Sequence, residues 1–85
     1  MATREEILQS GKGEIRVFRA GMYQREEFRV KRIDSPFGKY AVLELDKFAD
    51  LKELLRISEE YGLPVFSKNG KIFPKGKSAK DFVGL

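Results

Sequence analysis

The side chains best suited to chemistry in this chain are cations and aromatic rings on one predicted face of a sheet. Arg16 and Phe18 alternate with apolar residues in one predicted strand, Arg29 and Lys31 in the next, and Tyr40 lies in a third. Rings among cations suit single-stranded nucleic acid, because bases stack on the rings while the cations neutralise phosphates. The pattern therefore predicts a nucleic-acid-binding face built from these five residues.

Lysines in the carboxy-terminal part extend the predicted positive surface. They are Lys68, Lys71, Lys75 and Lys77. The formal charge of +4 is uneven along the chain. Residues 12–33 carry seven basic and three acidic side chains and residues 64–85 carry five lysines and one aspartate, whereas residues 43–61 carry three basic and six acidic ones. An anionic partner is therefore expected to contact the sheet and the tail, not the main helix.

Catalysis is disfavoured by the residue types that the chain lacks. Without cysteine or histidine, thiol chemistry, imidazole catalysis and the common transition-metal sites lose their usual groups. Gly76-Lys77-Ser78 matches the end of a phosphate-binding P-loop, but Lys71 stands where that motif needs glycine. The sequence predicts a non-enzymatic binding domain with no catalytic residue and no cofactor.

One acidic group suggests a minor third interpretation. Asp46, Asp50 and Glu53 have i, i+4, i+7 spacing and would share one side of a helix that began at Asp46. Calcium takes carboxylate oxygens, although acidic residues near a helix start also favour the helix dipole. Because no EF-hand loop is present, no metal ligand is assigned.

A protein partner is the alternative to nucleic acid. Phe18, Ile33, Tyr40 and Val42 could form a contact with another protein or with a second copy of the chain. They could also be covered by the terminal helices as a second small core. A protein–protein interaction module or a homodimer therefore stays open beside the nucleic-acid hypothesis.

Composition predicts a cytoplasmic domain without membrane contact. No apolar run approaches the length of a membrane span, and residues 1–6 are charged where a signal peptide would be apolar. One Asn, two Gln and no Cys stand against thirty charged residues. This bias is typical of thermophile proteins and favours a thermophilic archaeal source.

A short amino-terminal helix and one main helix are predicted around the strands. Thr3 and Glu6 have the spacing of a capping box at the start of a short amino-terminal helix. Asp46 is predicted to cap the main helix, and Gly62 to end it as a left-handed stop. The apolar stripe of that helix, expected to pack on the sheet, is Phe48, Leu51, Leu54, Leu55 and Tyr61.

Alternating apolar and charged residues predict three strands, at 14–20, 26–34 and 39–45. The link from Gly21 to Arg25 is predicted to be loose. Ile33 breaks the alternation of the second strand, which predicts a bulge or an end to the pairing there.

A second hairpin is predicted after the main helix. Val65-Phe66 and Ile72-Phe73 flank Asn69-Gly70, a strong signal for a type I′ turn. With that turn, the two phenylalanines would face each other. Ser78 has N-cap spacing to Asp81, which predicts a last short helical turn.

The predicted order α-β-β-β-α-β-β-α indicates a single α+β domain over residues 1–85. Its expected architecture is a three-stranded antiparallel meander packed by one main helix, plus a second β-hairpin and short terminal helices. The helix–three strands–helix order resembles that of double-stranded-RNA-binding domains. Residues 46–50 (DKFAD) depart from the Lys-rich start of the second helix in that family, and the second hairpin is extra. The resemblance is confined to element order.

Overall fold

A computed structural model describes residues 3–85; Met1 and Ala2 of the charged amino-terminal segment lie outside the described residues. In chain order the elements are α1 (Arg4–Ser10), β1 (Lys12–Arg19), β2 (Met22–Ser35), β3 (Gly38–Leu45), α2 (Leu51–Tyr61), β4 (Val65–Ser67) and β5 (Gly70–Ile72), followed by a 3₁₀ turn at Ala79–Asp81. This order confirms the predicted α+β fold class.

Helix α1 begins at the predicted capping box. The Thr3 hydroxyl accepts a hydrogen bond from the backbone N–H of Glu6 at 3.2 Å, and the Glu6 carboxylate accepts one from the Thr3 N–H at 3.4 Å. Gly11 ends the helix with φ of 77°, a conformation that strains residues with a Cβ. The buried Ile7 docks the helix on the core.

The five strands form one mixed sheet in the order β1-β2-β3-β4-β5. Strands β1 to β3 make the predicted antiparallel meander. Strand β4 then pairs in parallel with β3, with Val65 opposite Leu43, so the second hairpin extends the meander instead of standing apart from it. Helix α2 lies in the crossover that a parallel neighbour requires.

The β1–β2 link is a tight turn, so the prediction of a loose link is wrong. Arg19 lies opposite Met22, which leaves Ala20 and Gly21 as a two-residue loop. Both have positive φ, 49° and 80°, as a type I′ turn requires. The turn lets β2 begin at Met22 and places Tyr23 and Arg25 on the face of the sheet that is turned away from α2.

The β2–β3 ladder has no bulge, contrary to the prediction for Ile33. Ile33 lies opposite Tyr40, and pairing continues in the same register to Ser35 opposite Gly38. The Ile33 side chain simply points to the sheet face away from α2 and packs there against buried residues. At Ile33 the break in the alternation of apolar and charged residues therefore indicates that apolar residues are buried on both faces of the sheet.

Helix α2 begins at Leu51, so the prediction that Asp46 caps it is wrong. Asp50 occupies the N-cap position without a capping bond from its side chain. The Asn69 side chain explains the late start, because its NH₂ donates to the Ala49 carbonyl at 2.6 Å and its oxygen accepts from the Ala49 N–H at 3.4 Å. These bonds hold residues 46–50 out of the helix.

The late start also changes the buried side of α2. Leu54 is buried as predicted and Ile57 is buried beside it, but Phe48 and Leu51 are 62% and 59% exposed. Phe48 lies before the helix and therefore cannot belong to its stripe. Gly62 ends α2 in the left-handed conformation, as predicted.

The turn of the second hairpin lies one residue earlier than predicted, which shifts the pairing of its strands by two residues. Ser67 lies opposite Gly70 and Phe66 opposite Lys71, so the loop is Lys68-Asn69 instead of Asn69-Gly70. The predicted pairing of the two phenylalanines is therefore wrong. Asn69 is used to bind the segment before α2, and this long-range role overrides its local preference for the turn.

The main core lies between α2 and the sheet. Its residues include Ile15, Val17, Phe28, Ala41, Leu43, Leu45, Leu54, Ile57 and Val65. Gly13 makes room for the Phe28 ring, since a Cβ there would lie 2.6 Å from the ring carbon Cζ. The predicted last turn is also present: the Ser78 N–H donates to the Asp81 carboxylate at 2.8 Å, and Phe82 behind it is buried.

Candidate nucleic-acid interface

The sheet face turned away from α2, here called the outer face, carries the predicted site residues. Strand alternation puts Arg16, Phe18, Arg29, Lys31 and Tyr40 on it, because their neighbours in sequence form the core. The face is not uniform. Its β1–β2 end is open to solvent, whereas the carboxy-terminal segment covers the beginning of β3.

Aromatic and guanidinium groups meet at the open end of the outer face. Phe18 and Tyr23 lie opposite each other, with ring centroids 5.1 Å apart in an edge-to-face arrangement. The Arg16 and Arg56 guanidinium carbons lie 5.2 and 5.7 Å from the Tyr23 centroid. Phe18 is 42% and Tyr23 49% exposed. These four residues and Arg25 are called the ring–guanidinium cluster below.

Arg16 and Arg25 lie directly opposite each other on the outer face. Like charges at such cross-strand positions are destabilising. Neither arginine takes part in a salt bridge among residues 3–85, so no carboxylate in that range lies within ion-pairing distance of the pair. The arrangement creates a local positive field beside two exposed rings, and an anion between the arginines would relieve the repulsion.

Arg56 reaches this end of the sheet from helix α2. Its guanidinium donates to the backbone carbonyl of Arg16 at 2.8 Å, pairs with Glu53, and contacts Glu60 at 2.9 Å. The hydrogen bond with Glu53 raises the pKa of Arg56, and the hydrogen bond from Arg56 is the main cause that lowers the pKa of Glu53. Both groups are therefore charged near neutral pH, and Arg56 is fixed in place beside Tyr23.

An open groove of about 550 Å³ runs along the outer edge of β1 beside the cluster. Its lining includes Glu14, Arg16, Tyr23, Arg25, Arg56 and Glu60. A partly buried ion pair joins the two strands of the hairpin behind the groove, because the Arg19 guanidinium binds both carboxylate oxygens of Glu26 at 2.7 and 2.9 Å.

Arg29 and Lys31 lie on the outer face but are paired with acidic groups. Arg29 binds Glu44 at 2.8 Å and Asp46 at 3.3 Å, and Lys31 lies 3.6 Å from Glu44. Their positive charge is therefore partly neutralised by the protein. The row formed by Glu14 opposite Glu27 further separates them from the ring–guanidinium cluster.

Tyr40 is only 2% exposed, so the expectation that it offers an open ring for stacking is wrong. A second group of apolar side chains covers it: Phe73 lies 5.8 Å from it between ring centroids, and Val83 forms an isolated bridge with its backbone. Phe82 stacks on Phe73 at 6.2 Å. The carboxy-terminal segment thus converts this part of the outer face into core.

The four lysines predicted to extend the site do not join the cluster. Lys71 donates to the Tyr40 hydroxyl at 2.5 Å and covers the second group of apolar side chains. Lys68 lines a cavity with Arg29 and Phe66 on the middle of the sheet. Lys75 and Lys77 lie on the loop before the last turn, whose backbone binds Glu59 of α2.

Three members of the cluster were missed from the sequence. The Ala20-Gly21 turn and the matching alternation on either side of it were signals that could have placed Tyr23 and Arg25 opposite Phe18 and Arg16. Arg56 gives no such signal, because its place in the cluster depends on how α2 packs over β1.

The calcium interpretation is not supported. Asp46 lies before α2 and pairs with Arg29, while Glu53 is bound by Arg56 and by the backbone N–H of Phe18 at 2.9 Å. Asp50 is at the N-cap. Among residues 3–85, no group of three or more His, Cys, Asp or Glu side chains is placed to hold a metal ion.

No protein-family model matches this chain, and no curated protein or solved structure matches it significantly. In the part of the chain that the structure describes, neither helix is long and apolar enough to cross a membrane.

Proposed function

We propose that this chain is a non-enzymatic cytoplasmic domain that binds single-stranded nucleic acid through the ring–guanidinium cluster. The observation that carries the proposal is the exposed pair of Phe18 and Tyr23 with the guanidinium groups of Arg16 and Arg56 beside Tyr23. Exposed rings beside Arg16 and Arg25, which form no salt bridge among residues 3–85, suit a single strand, because it offers both unstacked bases and phosphates.

Each group has a distinct part in the proposed contact. The bases stack on Tyr23 and Phe18, which contributes about 1–3 kcal/mol per base. A phosphate lies between Arg16 and Arg25 and relieves their mutual repulsion. Arg56 is already bound to Glu53 and Glu60, so it orients the Tyr23 ring and adds little free positive charge.

The test is fluorescence anisotropy of labelled single-stranded DNA and RNA at about 50 and 200 mM salt. The unmodified protein is expected to bind at low salt and to lose affinity as salt rises. The variant R16E/R25E should bind at least about tenfold more weakly, since it reverses the charge beside the rings. Loss of two phosphate contacts should also flatten the salt dependence.

The variant K75E/K77E is the matched control, because it changes the net charge equally on a loop outside the cluster. It is expected to weaken binding less than R16E/R25E. If both variants weaken binding equally, the affinity is a general effect of charge and the site is wrong. Absence of micromolar binding at low salt would overturn the proposed function itself.

A protein partner is the second candidate. The observation that favours it is that Phe48, 62% exposed, lines a small cavity of about 180 Å³ together with Phe18 and Ala20. An apolar patch of this kind also fits another protein or a second copy of the chain. Light scattering distinguishes a second copy of the chain from another protein as the partner, because a protein that is monomeric at all concentrations excludes the homodimer.

A further inference from the structure

Strand β1 is an edge strand, and side chains bind three of its outward backbone groups. The Arg16 carbonyl accepts from Arg56 at 2.8 Å, and the Phe18 N–H donates to Glu53 at 2.9 Å. The Lys12 carbonyl accepts from the Ser10 hydroxyl at 3.0 Å. We call Ser10, Glu53 and Arg56 the edge guard. Alternation along the strand means that Glu14 also turns its N–H and carbonyl outward.

The guarded edge is complementary to itself in one antiparallel register. If two β1 strands met around Ile15, Glu14 of one copy would lie opposite Arg16 of the other, and Lys12 opposite Phe18. Residues paired in this way exchange two backbone hydrogen bonds, so the register uses the outward groups of all four positions. Each Glu14–Arg16 pair would also bring opposite charges together on the outer face, which is favourable across strands.

Neighbouring registers lack this complementarity. Pairing around Arg16 would place two arginines opposite each other, and pairing around Glu14 would place two glutamates opposite each other. Both are destabilising arrangements. The charge pattern of β1 therefore selects the register around Ile15 over its neighbours.

The edge guard occupies three of the backbone groups that this register needs. The Arg16 carbonyl, the Phe18 N–H and the Lys12 carbonyl are the three outward groups with side-chain partners, and all three would bond to the second copy. The guard is fixed in advance, because Glu53 and Arg56 pair with each other and Arg56 also binds Glu60. Unprotected edge strands are templates for pairing with another chain.

We propose that the edge guard keeps β1 closed to a second copy of this chain, and that the released edge pairs with itself in the antiparallel register around Ile15. Opening requires that the Glu53, Arg56 and Ser10 side chains leave the edge, with no change in the pairing of the five strands. The proposal concerns the edge of β1; it shares Arg16 and Arg56 with the ring–guanidinium cluster but does not require nucleic-acid binding.

The test is the concentration dependence of mass by light scattering or sedimentation, without nucleic acid. The unmodified protein is expected to stay at its monomer mass of 9.8 kDa. The variant E53A/R56A should double that mass as its concentration rises. The control E5A/K52A removes one acid and one base from exposed sites and should remain monomeric. A melting curve shows whether each variant is folded.

Charge exchange tests the register. Adding Glu14→Arg to E53A/R56A places arginine opposite arginine and should return the monomer. Adding Arg16→Glu as well restores opposite charges and should restore the dimer. If the alanine variant does not fold, E53L/R56M keeps the apolar contact area while removing the bonds and gives the same readout.

Three outcomes would overturn the proposal. They are a guard variant that stays monomeric at high concentration, a dimer that Glu14→Arg does not weaken, and an unmodified protein that already dimerises as strongly as E53A/R56A.

Discussion

The two ends of the outer face carry similar residues, but one end is exposed and the other is buried. Phe18 at the β1–β2 end is 42% exposed beside arginines, whereas Tyr40 at the beginning of β3 is 2% exposed. Both are aromatic residues on the same side of the same sheet. The difference is that residues 73–85 fold over Tyr40, while no described segment covers Phe18. Whether an aromatic ring on a sheet face is part of the core or is available for binding therefore depends on whether a later segment of the chain packs over it.

The covering also changes what the neighbouring cation does. Lys71 binds the Tyr40 hydroxyl and lies 5.3 Å from its ring centroid, so it completes the small core. At the open end, Arg16 lies at a similar distance from Tyr23, but the ring remains half exposed. The same cation–aromatic contact therefore supports stability at one end and leaves a surface for a ligand at the other.

The largest expected effect is loss of stability on removing the covered ring. Tyr40→Ala should lower the free energy of unfolding by about 3–5 kcal/mol, because it leaves a cavity between the sheet and Phe73. Tyr23→Ala should change stability by less than about 1 kcal/mol, since that ring is half exposed. Chemical denaturation of both variants measures the difference. An equal decrease in the free energy of unfolding for both variants would show that Tyr40 and Tyr23 do not differ in burial as described.

A smaller effect is expected on nucleic-acid binding. For binding, the exposed rings at the open end of the outer face are expected to matter more than the covered ring does. Phe18→Ala removes a stacking ring and should weaken single-stranded nucleic-acid binding by about 1–3 kcal/mol. Phe66→Ala is the matched control, since Phe66 is 40% exposed on the outer face but lies away from the cluster. The same anisotropy titration measures both. A larger loss for Phe66 would move the site to the middle of the sheet.

The smallest effect is a pH dependence of stability from Glu53. Its pKa in the folded protein is lowered below the ordinary value of 4.5, mainly by the hydrogen bond from Arg56; partial burial opposes this, and the Phe18 N–H adds to it. A lowered folded pKa means stability that is present above pH 4.5 and is lost as the pH falls through the folded pKa. Glu53→Gln cannot ionise and should lack this component.

Melting temperatures of the unmodified protein and of Glu53→Gln between pH 7 and pH 3 measure the contribution of the Glu53 carboxylate to stability. The stability advantage of the unmodified protein over Glu53→Gln should shrink below pH 4.5. A constant difference across this range would show that the Glu53 carboxylate is not held by Arg56 and Phe18.

Local patterns in the sequence were sufficient to predict most elements. The Thr3–Glu6 and Ser78–Asp81 capping spacings, the alternation of the three long strands and the Gly62 stop all depend on residues within a few positions of each other, and the structure bears them out. The α+β element order followed from these signals. The same alternation placed Arg16 and Phe18 on the outer face, because side-chain direction in a strand has a period of two.

Contacts between distant residues decided the rest. Asn69 binds Ala49 and so delays α2 and shifts the second hairpin, Arg56 reaches Tyr23 from another element, and Phe73 covers Tyr40. Each of these joins residues that are many positions apart, and their free energy depends on packing that local spacing does not encode. The sequence by itself thus determined which residues could form the outer face, whereas tertiary packing decided which of them are buried and which remain open to a partner.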